Sequence, residues 1–237
     1  MLNMASGAPP TELPLGPPEP MLLDTCVIQN LEWVWDLIEN DVPWSTDKFE
    51  DVTAKFGEPL AEELLALDRL VSHLRWSGFP WLVSGSAEAE LDRIVTAKGE
   101  GLRAGWRRLA EALEDWGTDA YGPVAPGVLR RGRPVRANPL ILRGLGVASV
   151  DEITADDGPL AGFRDRGDRE MIRDALLSGV PAVLTTDLRS FWAKRELVRD
   201  YGLEIWRPTD TLDAYIPRWN AEEAEFARRR AAASEGC

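Results

Sequence analysis

Four carboxylates, Asp24, Glu90, Asp168 and Asp187, stand where strands and helices alternate, and together they could hold a hard divalent cation. Asp24 interrupts the apolar run MLLDTCVI, and Asp187 closes VPAVLTTD. Glu90 lies in SAEAELDRI and Asp168 in GDREMIRDA, each in the first turn of a helical pattern. Asp168 shares a helix face with Ile172 and Ala175, and Glu90 aligns with Ala87 and Ile94, so both point to an apolar side. A carboxylate so placed is costly unless a cation or hydrogen-bond donors compensate it. Taken singly, such an acid is more often a helix cap or dipole partner than a ligand. The set shifts the balance, because oxygen-only ligands select Mg²⁺ or Mn²⁺ and no histidine or cysteine cluster competes. The single histidine, His73, and two cysteines, Cys26 and Cys237, leave no multi-histidine metal site, no zinc spacing and no disulfide framework.

The elements that must position these acids read as follows. Residues 1–20, with six prolines, form a disordered or extended leader. MLLDTCVI predicts a buried strand ending at Asp24, followed by a helix through Leu31, Val34, Trp35 and Ile38. A connection holding Pro43 and Gly57 leads to a helix with Leu60, Leu64, Leu67, Val71 and Leu74 on one stripe and His73 beside it. FPWLVS predicts a strand, SAEAELDRIV a helix, and Leu102, Trp106, Leu109, Leu113 and Trp116 another helix face. Periodicity fades over about 118–163, which predicts an insertion or long functional loop. DREMIRDALLSG then predicts a helix capped by Gly179, VPAVLTTD a buried strand, LRSFWAKRELVRDYG a helix and LEIW a strand. Thr209 or Asp210 can cap a last short helix, and 218–237 is a polar helix or tail. Strands alternating with helices predict an α/β fold, a central mostly parallel sheet sandwiched by helices in three layers, over 21–217. The ten tryptophans fall mostly on apolar stripes and are expected in the core.

LLDTCVI, VSGSAEAEL and DREMIRDALLSGVPAVLTTDLRSF resemble the successive motifs of PIN domains. The matching positions are Asp24 with Thr25, Ser84 with Glu90, Asp168 with Ala175 and Gly179, and Thr185 with Asp187 and Phe191; Glu88 is an alternative to Glu90. The resemblance covers roughly half of the chain and leaves out the helix around 59–77 and the stretch 118–163. It implies a Mg²⁺- or Mn²⁺-dependent endoribonuclease, toxin-like or RNA-processing. Asp24 and Asp168 would be direct ligands and Asp187 a ligand or an outlying acid. Glu90 would bind metal through water or orient the nucleophile. Thr25 and Thr185 would hydrogen-bond to a carboxylate or phosphate, or else satisfy local backbone.

Charge narrows where substrate can lie. With 27 basic against 40 acidic residues, the net charge of −13 excludes coating of nucleic acid through bulk charge. Contact must be local, and Arg130, Arg131, Arg133 and Arg136 form a basic run that could hold an RNA backbone, with Arg103, Arg107 and Arg108 before it. The same arginines could equally form a solvated face or ion pairs with the abundant acids. No apolar run approaches a membrane span, and no signal-peptide pattern opens the chain, so the expectation is a cytoplasmic protein. Its expected partners are RNA, an antitoxin or other protein, and a second copy in a homodimer. A haloacid-dehalogenase phosphatase would need a second Asp where Cys26 stands. A non-cutting PIN-like module that binds protein or RNA is the alternative from a different class.

Overall fold

The computed structural model describes residues 15–34, 37, 40, 42–77, 80–84 and 139–235. Among them, four short strands pair in one all-parallel sheet: β1 Met21–Leu23, β2 Trp81–Leu82, β3 Ala182–Leu184 and β4 Glu204–Trp206, in the order β2-β1-β3-β4. β1 is central, pairing with both β2 and β3, and its register with β3 sets Leu22 opposite Val183 and Leu23 opposite Leu184. Successive strand side chains face opposite sides. Leu22, Val183 and Ile205 therefore share one face, where they join Phe163, Ile172 and Ala175 in a continuous core. Met21, Leu23, Ala182 and Leu184 turn the other way and are equally buried, so the sheet is covered on both sides. Full burial explains why the strand sequences are unbroken apolar runs rather than alternating ones.

β1 stops at Leu23, one residue before the strand end expected at Asp24, and the helix begins earlier than its expected start near Leu31. Asp24 is already the residue that precedes a helix, α1 Thr25–Asn30, and Val27 and Ile28 are buried from that helix rather than from the strand. A 3₁₀ turn, Leu31–Val34, follows. The connection expected around Pro43 and Gly57 contains a helix of its own, α2 Thr46–Phe56. Ser45 starts it by accepting the Lys48 N–H, and Gly57 stops it at φ +86°, a conformation glycine adopts without side-chain strain. Val52 on α2 packs with Ala61 and Leu64 of α3, Glu58–Ser77. His73 is exposed on α3.

The stretch read as an insertion is, from 139 onward, part of the core. α4 Pro139–Leu145 and α5 Val150–Ile153 contribute Leu142, Leu145 and Ile153, and the turns after them contribute Leu160 and Phe163. One turn closes so tightly that a Cβ at Gly158 would collide with the Glu152 carbonyl. Short helices of seven and four residues give too little periodicity to be seen beside so much Pro, Gly and charge. α6 Arg166–Ser178 ends at Gly179 in the left-handed region, φ 68°, as expected. The helix expected from LRSFWAKRELVRDYG is broken into a 3₁₀ turn, Trp192–Lys194, and α7 Glu196–Arg199.

The last helix is long, not short. α8 Pro208–Glu235 begins with proline at its first position, where the missing N–H is harmless, so Thr209 and Asp210 lie inside it rather than before it. The chain divides into a main unit, 18–212, and a second made of 1–17 with 213–237. In the second, Gly16 lies against Arg218, and Tyr215 stacks on Trp219 at 4.9 Å. No helix among the described residues is long and apolar enough to cross a membrane.

Candidate functional site

The C-terminal edge of a parallel sheet is where loops diverge and ligands collect. At that edge β1 ends in Asp24, β3 in Thr185, Thr186 and Asp187, and β2 runs on to Ser84. The β1–β3 register brings Asp24 and Thr185 together although 161 positions separate them: the Thr185 hydroxyl donates to Asp24 Oδ2 at 2.6 Å. Asp24, Ser84, Thr185 and Thr186 are all buried, with Thr185 fully enclosed.

Asp24 occupies the capping position of α1, and its carbonyl accepts the Val27 N–H at 2.9 Å. Its carboxylate draws donors from both elements: Oδ2 takes the Thr185 hydroxyl of the sheet edge and the Cys26 thiol of α1, the latter at 2.7 Å, and the Cys26 backbone N–H also donates to the carboxylate. Burial pushes the Asp24 carboxyl above its ordinary value; the Cys26 and Thr185 donors work against that rise, and the nearby charge of Asp187 adds to it. The Cys26 thiol is pushed far up, first by burial and then by the adjacent Asp24 charge, so it remains a protonated donor.

Sequence reasoning missed three members of this cluster. Cys26 Sγ accepts from the Thr186 N–H at 3.3 Å and its hydroxyl at 3.2 Å, while Asn30 Nδ2 donates to the Thr186 hydroxyl at 2.8 Å. Cys26 and Asn30 are four residues apart on α1 and so share one helix face. The signal available was that i,i+4 polar pair directly after Asp24, facing the Thr-Thr doublet of VLTTD. It ties α1 to the end of β3.

Asp187 is half-buried and engaged locally. Its Oδ1 accepts the backbone N–H groups of Arg189 and Ser190, each at 3.0 Å, and its Oδ2 accepts the Ser190 hydroxyl. Asp187 N–H in turn donates to the Thr185 hydroxyl oxygen at 3.0 Å, so both Asp24 and Asp187 hang on Thr185. Asp168 is half-buried in the first turn of α6, behind Asp165, whose side chain accepts the Gly167 and Asp168 N–H groups. Because α6 feeds through Gly179 into the start of β3 and packs back along it, its first turn lies toward the edge that carries Asp24 and Asp187. Thr25 is buried at the start of α1. Among the described residues, no three His, Cys, Asp or Glu side chains form a group able to hold a metal ion. Asp24 and Asp187 are the pair brought within each other's field. Glu88, Glu90 and the arginines at 103, 107, 108, 130, 131, 133 and 136 lie outside the described residues.

The fold and this edge define an α/β protein with one buried aspartate, Asp24, and one half-buried, Asp187, at the strand ends of a parallel sheet. In comparisons with known proteins, no family model, no curated protein and no solved structure matches the chain.

Proposed function

We propose that the chain is a Mg²⁺- or Mn²⁺-dependent nuclease of PIN type that cuts phosphodiester bonds in RNA. One observation carries the reading: Asp24 is a buried carboxylate whose charge is opposed by burial and by Asp187, at the strand edge where ligands collect. Such a group is poorly placed as scaffold, since an apolar side chain would fill the same space without the penalty. It is well placed to meet a cation. The all-oxygen character of Asp24, Asp168 and Asp187 fits a hard divalent ion, and Glu90 would complete the set. Bound there, such an ion supplies a water of lowered pKa and neutralises charge on the leaving oxygen.

The chain's own residues have separate tasks in this reading. Thr185 and Cys26 fix the orientation of the Asp24 carboxylate through Oδ2. Thr186 holds Cys26 in turn and Asn30 holds Thr186, so the orientation is not left to a free rotor. RNA is the substrate, the cytoplasm the compartment, and an antitoxin-like protein or a second copy of the chain the partner class.

A second reading, a non-cutting PIN-like binding module, is favoured by one observation: both oxygens of Asp187 are engaged by the turn that follows it. The two readings separate on one experiment. Single-stranded RNA is incubated with wild type and with Asp24→Asn in Mn²⁺ or in EDTA, and the new 5′ ends are sequenced. Metal-dependent cutting by wild type alone supports the nuclease; equal products from both proteins, or none from either, leave the binding module.

A further inference from the structure

A pocket of about 270 Å³ opens beside the edge strand β4, between it and the Trp192–Arg199 segment. Trp192, Arg195, Glu196, Arg199, Glu204 and Trp206 line it. The tryptophans were expected in the core, yet these two are half-buried, with part of each indole left to solvent. The pocket adjoins the acidic edge through the backbone. Trp206 O accepts the Thr185 N–H at 2.9 Å, and Trp192 N–H donates to Asp187 O at 2.9 Å. Two of its lining residues are thus bonded through their backbone to the strand end that carries Asp187.

Its size and chemistry define that ligand. The volume lies below the roughly 300–1,000 Å³ of pockets that hold drug-sized molecules, and suits a single planar heterocycle. Arg195 lies over the Trp192 ring at 4.3 Å, and Arg207 lies over the same ring at 4.7 Å. Guanidinium planes held by an indole are, like the indole itself, surfaces on which nucleobases stack. Hydrogen-bonding groups of both kinds surround this platform. Arg195 and Arg199 only donate; Glu196 is already paired with Arg199 at 3.2 Å and with Arg195 at 3.5 Å, which leaves Glu204 as the acceptor that faces a ligand. Glu204 is fixed by the Trp206 Nε1–H at 2.8 Å, and one such bond leaves acceptor capacity on the carboxylate. Guanine presents both complements, with O6 and N7 as acceptors for arginine and N1–H and N2–H₂ as donors for a carboxylate.

We propose that this pocket binds one nucleobase, guanine in preference to the others, of a single-stranded RNA whose backbone crosses the Asp24–Asp187 edge. The identity of the polymer rests on the nuclease reading; the pocket's taste for a base does not. GMP, AMP, CMP and UMP are added separately to the full chain in EDTA, and saturation-transfer NMR reads the base and ribose protons. GMP should show the strongest transfer, concentrated on H8 of the base. Glu204→Gln and Arg195→Ala, both at exposed or half-exposed side chains, should each weaken GMP binding about tenfold. Transfer confined to the ribose, equal transfer for all four nucleotides, or no effect of either pocket variant overturns the proposal. GMP binding without RNA cutting would remove the nuclease reading and keep the pocket. Cutting without base binding would do the reverse.

Discussion

Replacing Asp24 by Asn keeps the shape of the side chain and removes its charge. Rotated so that its oxygen takes the place of Oδ2, the amide can still accept the Thr185 hydroxyl and the Cys26 thiol. What is lost is the charge-assisted strength of those bonds, about 1–2 kcal/mol. What is relieved is the burial of an anion beside Asp187, several kcal/mol after relaxation. The net expectation in EDTA at neutral pH is a stabilisation of about 1–3 kcal/mol, or a rise in Tm of roughly 3–10 °C for a protein of this size. The sign can be checked by pH. A carboxyl raised above its ordinary 3.8 keeps its proton longer in the folded state than in the unfolded one. The cost of the wild-type charge is thus fully present above the raised value and disappears as pH falls toward 3.8, so the advantage of the Asn variant should shrink on acidification. Mn²⁺ at a hundredfold its Kd should stabilise wild type by about 2.7 kcal/mol and leave the variant unmoved. Differential scanning calorimetry across pH, with and without Mn²⁺, measures all three effects. An Asn variant less stable than wild type at neutral pH, with a gap independent of pH, would refute the reasoning, because the Asp24 charge would then already be compensated.

Other substitutions separate structural from chemical roles. Asp187→Asn can still accept the Arg189 and Ser190 N–H groups, so its Tm should stay within about 2 °C of wild type, while cutting of RNA in Mn²⁺ falls by about a hundredfold or more. Asp187→Ala hands those exposed donors to water and should cost about 0.5–1.5 kcal/mol in urea melts. Phe163→Ala should cost about 3–5 kcal/mol, because Phe163 is wholly buried in the main core; a loss below about 1 kcal/mol would return that stretch to the status of a loop. Glu63, buried on α3, accepts the Thr209 N–H at 3.0 Å and its hydroxyl at 2.9 Å, fixing the start of α8. Glu63→Gln sets an amide donor against one of those donors, so hydrogen exchange in the first turn of α8 should rise about tenfold, for a loss of about 1–2 kcal/mol.

What was legible in the sequence was whatever a local period could express. The apolar stripe of α3, the Gly179 stop of α6 and the four strand cores could be read because burial repeats every two or three to four residues. α4 and α5 escaped because one or two turns show no period, although their Leu142, Leu145 and Ile153 are as buried as any strand residue. α2 escaped for a different reason: its buried contribution is Val52, and its start is marked by Ser45, a cap that a turn would use as readily. At the candidate site, the positions of Asp24 and Asp187 followed from strand ends, but their partners did not. Cys26 fell between the strand end expected at Asp24 and the helical pattern from Leu31, and only the early start of α1 turns it toward Thr186. Likewise the fate of Trp192 depended on the break between the 3₁₀ turn and α7, which opens the pocket beside β4.

The cluster exists only because the sheet has one register. Thr185 meets Asp24 because Leu23 sits opposite Leu184, and three paired residues on each strand secure that alignment. A slip of β3 by one position would exchange its faces, sending Val183 out of the core that holds Phe163 and Ile172 and pulling Thr185 away from Asp24. Because both faces of the sheet are buried, the penalty for such a slip lies in misfitted packing on each side, not in hydrogen bonds at the edge. Core residues such as Leu22 and Val183 are in this sense positioning residues for the carboxylates, although neither touches them. Enlarging or shrinking either side chain should therefore disturb the Asp24–Thr185 bond before it unfolds the sheet, and the two effects can be told apart, since only the first alters how Mn²⁺ shifts the melt.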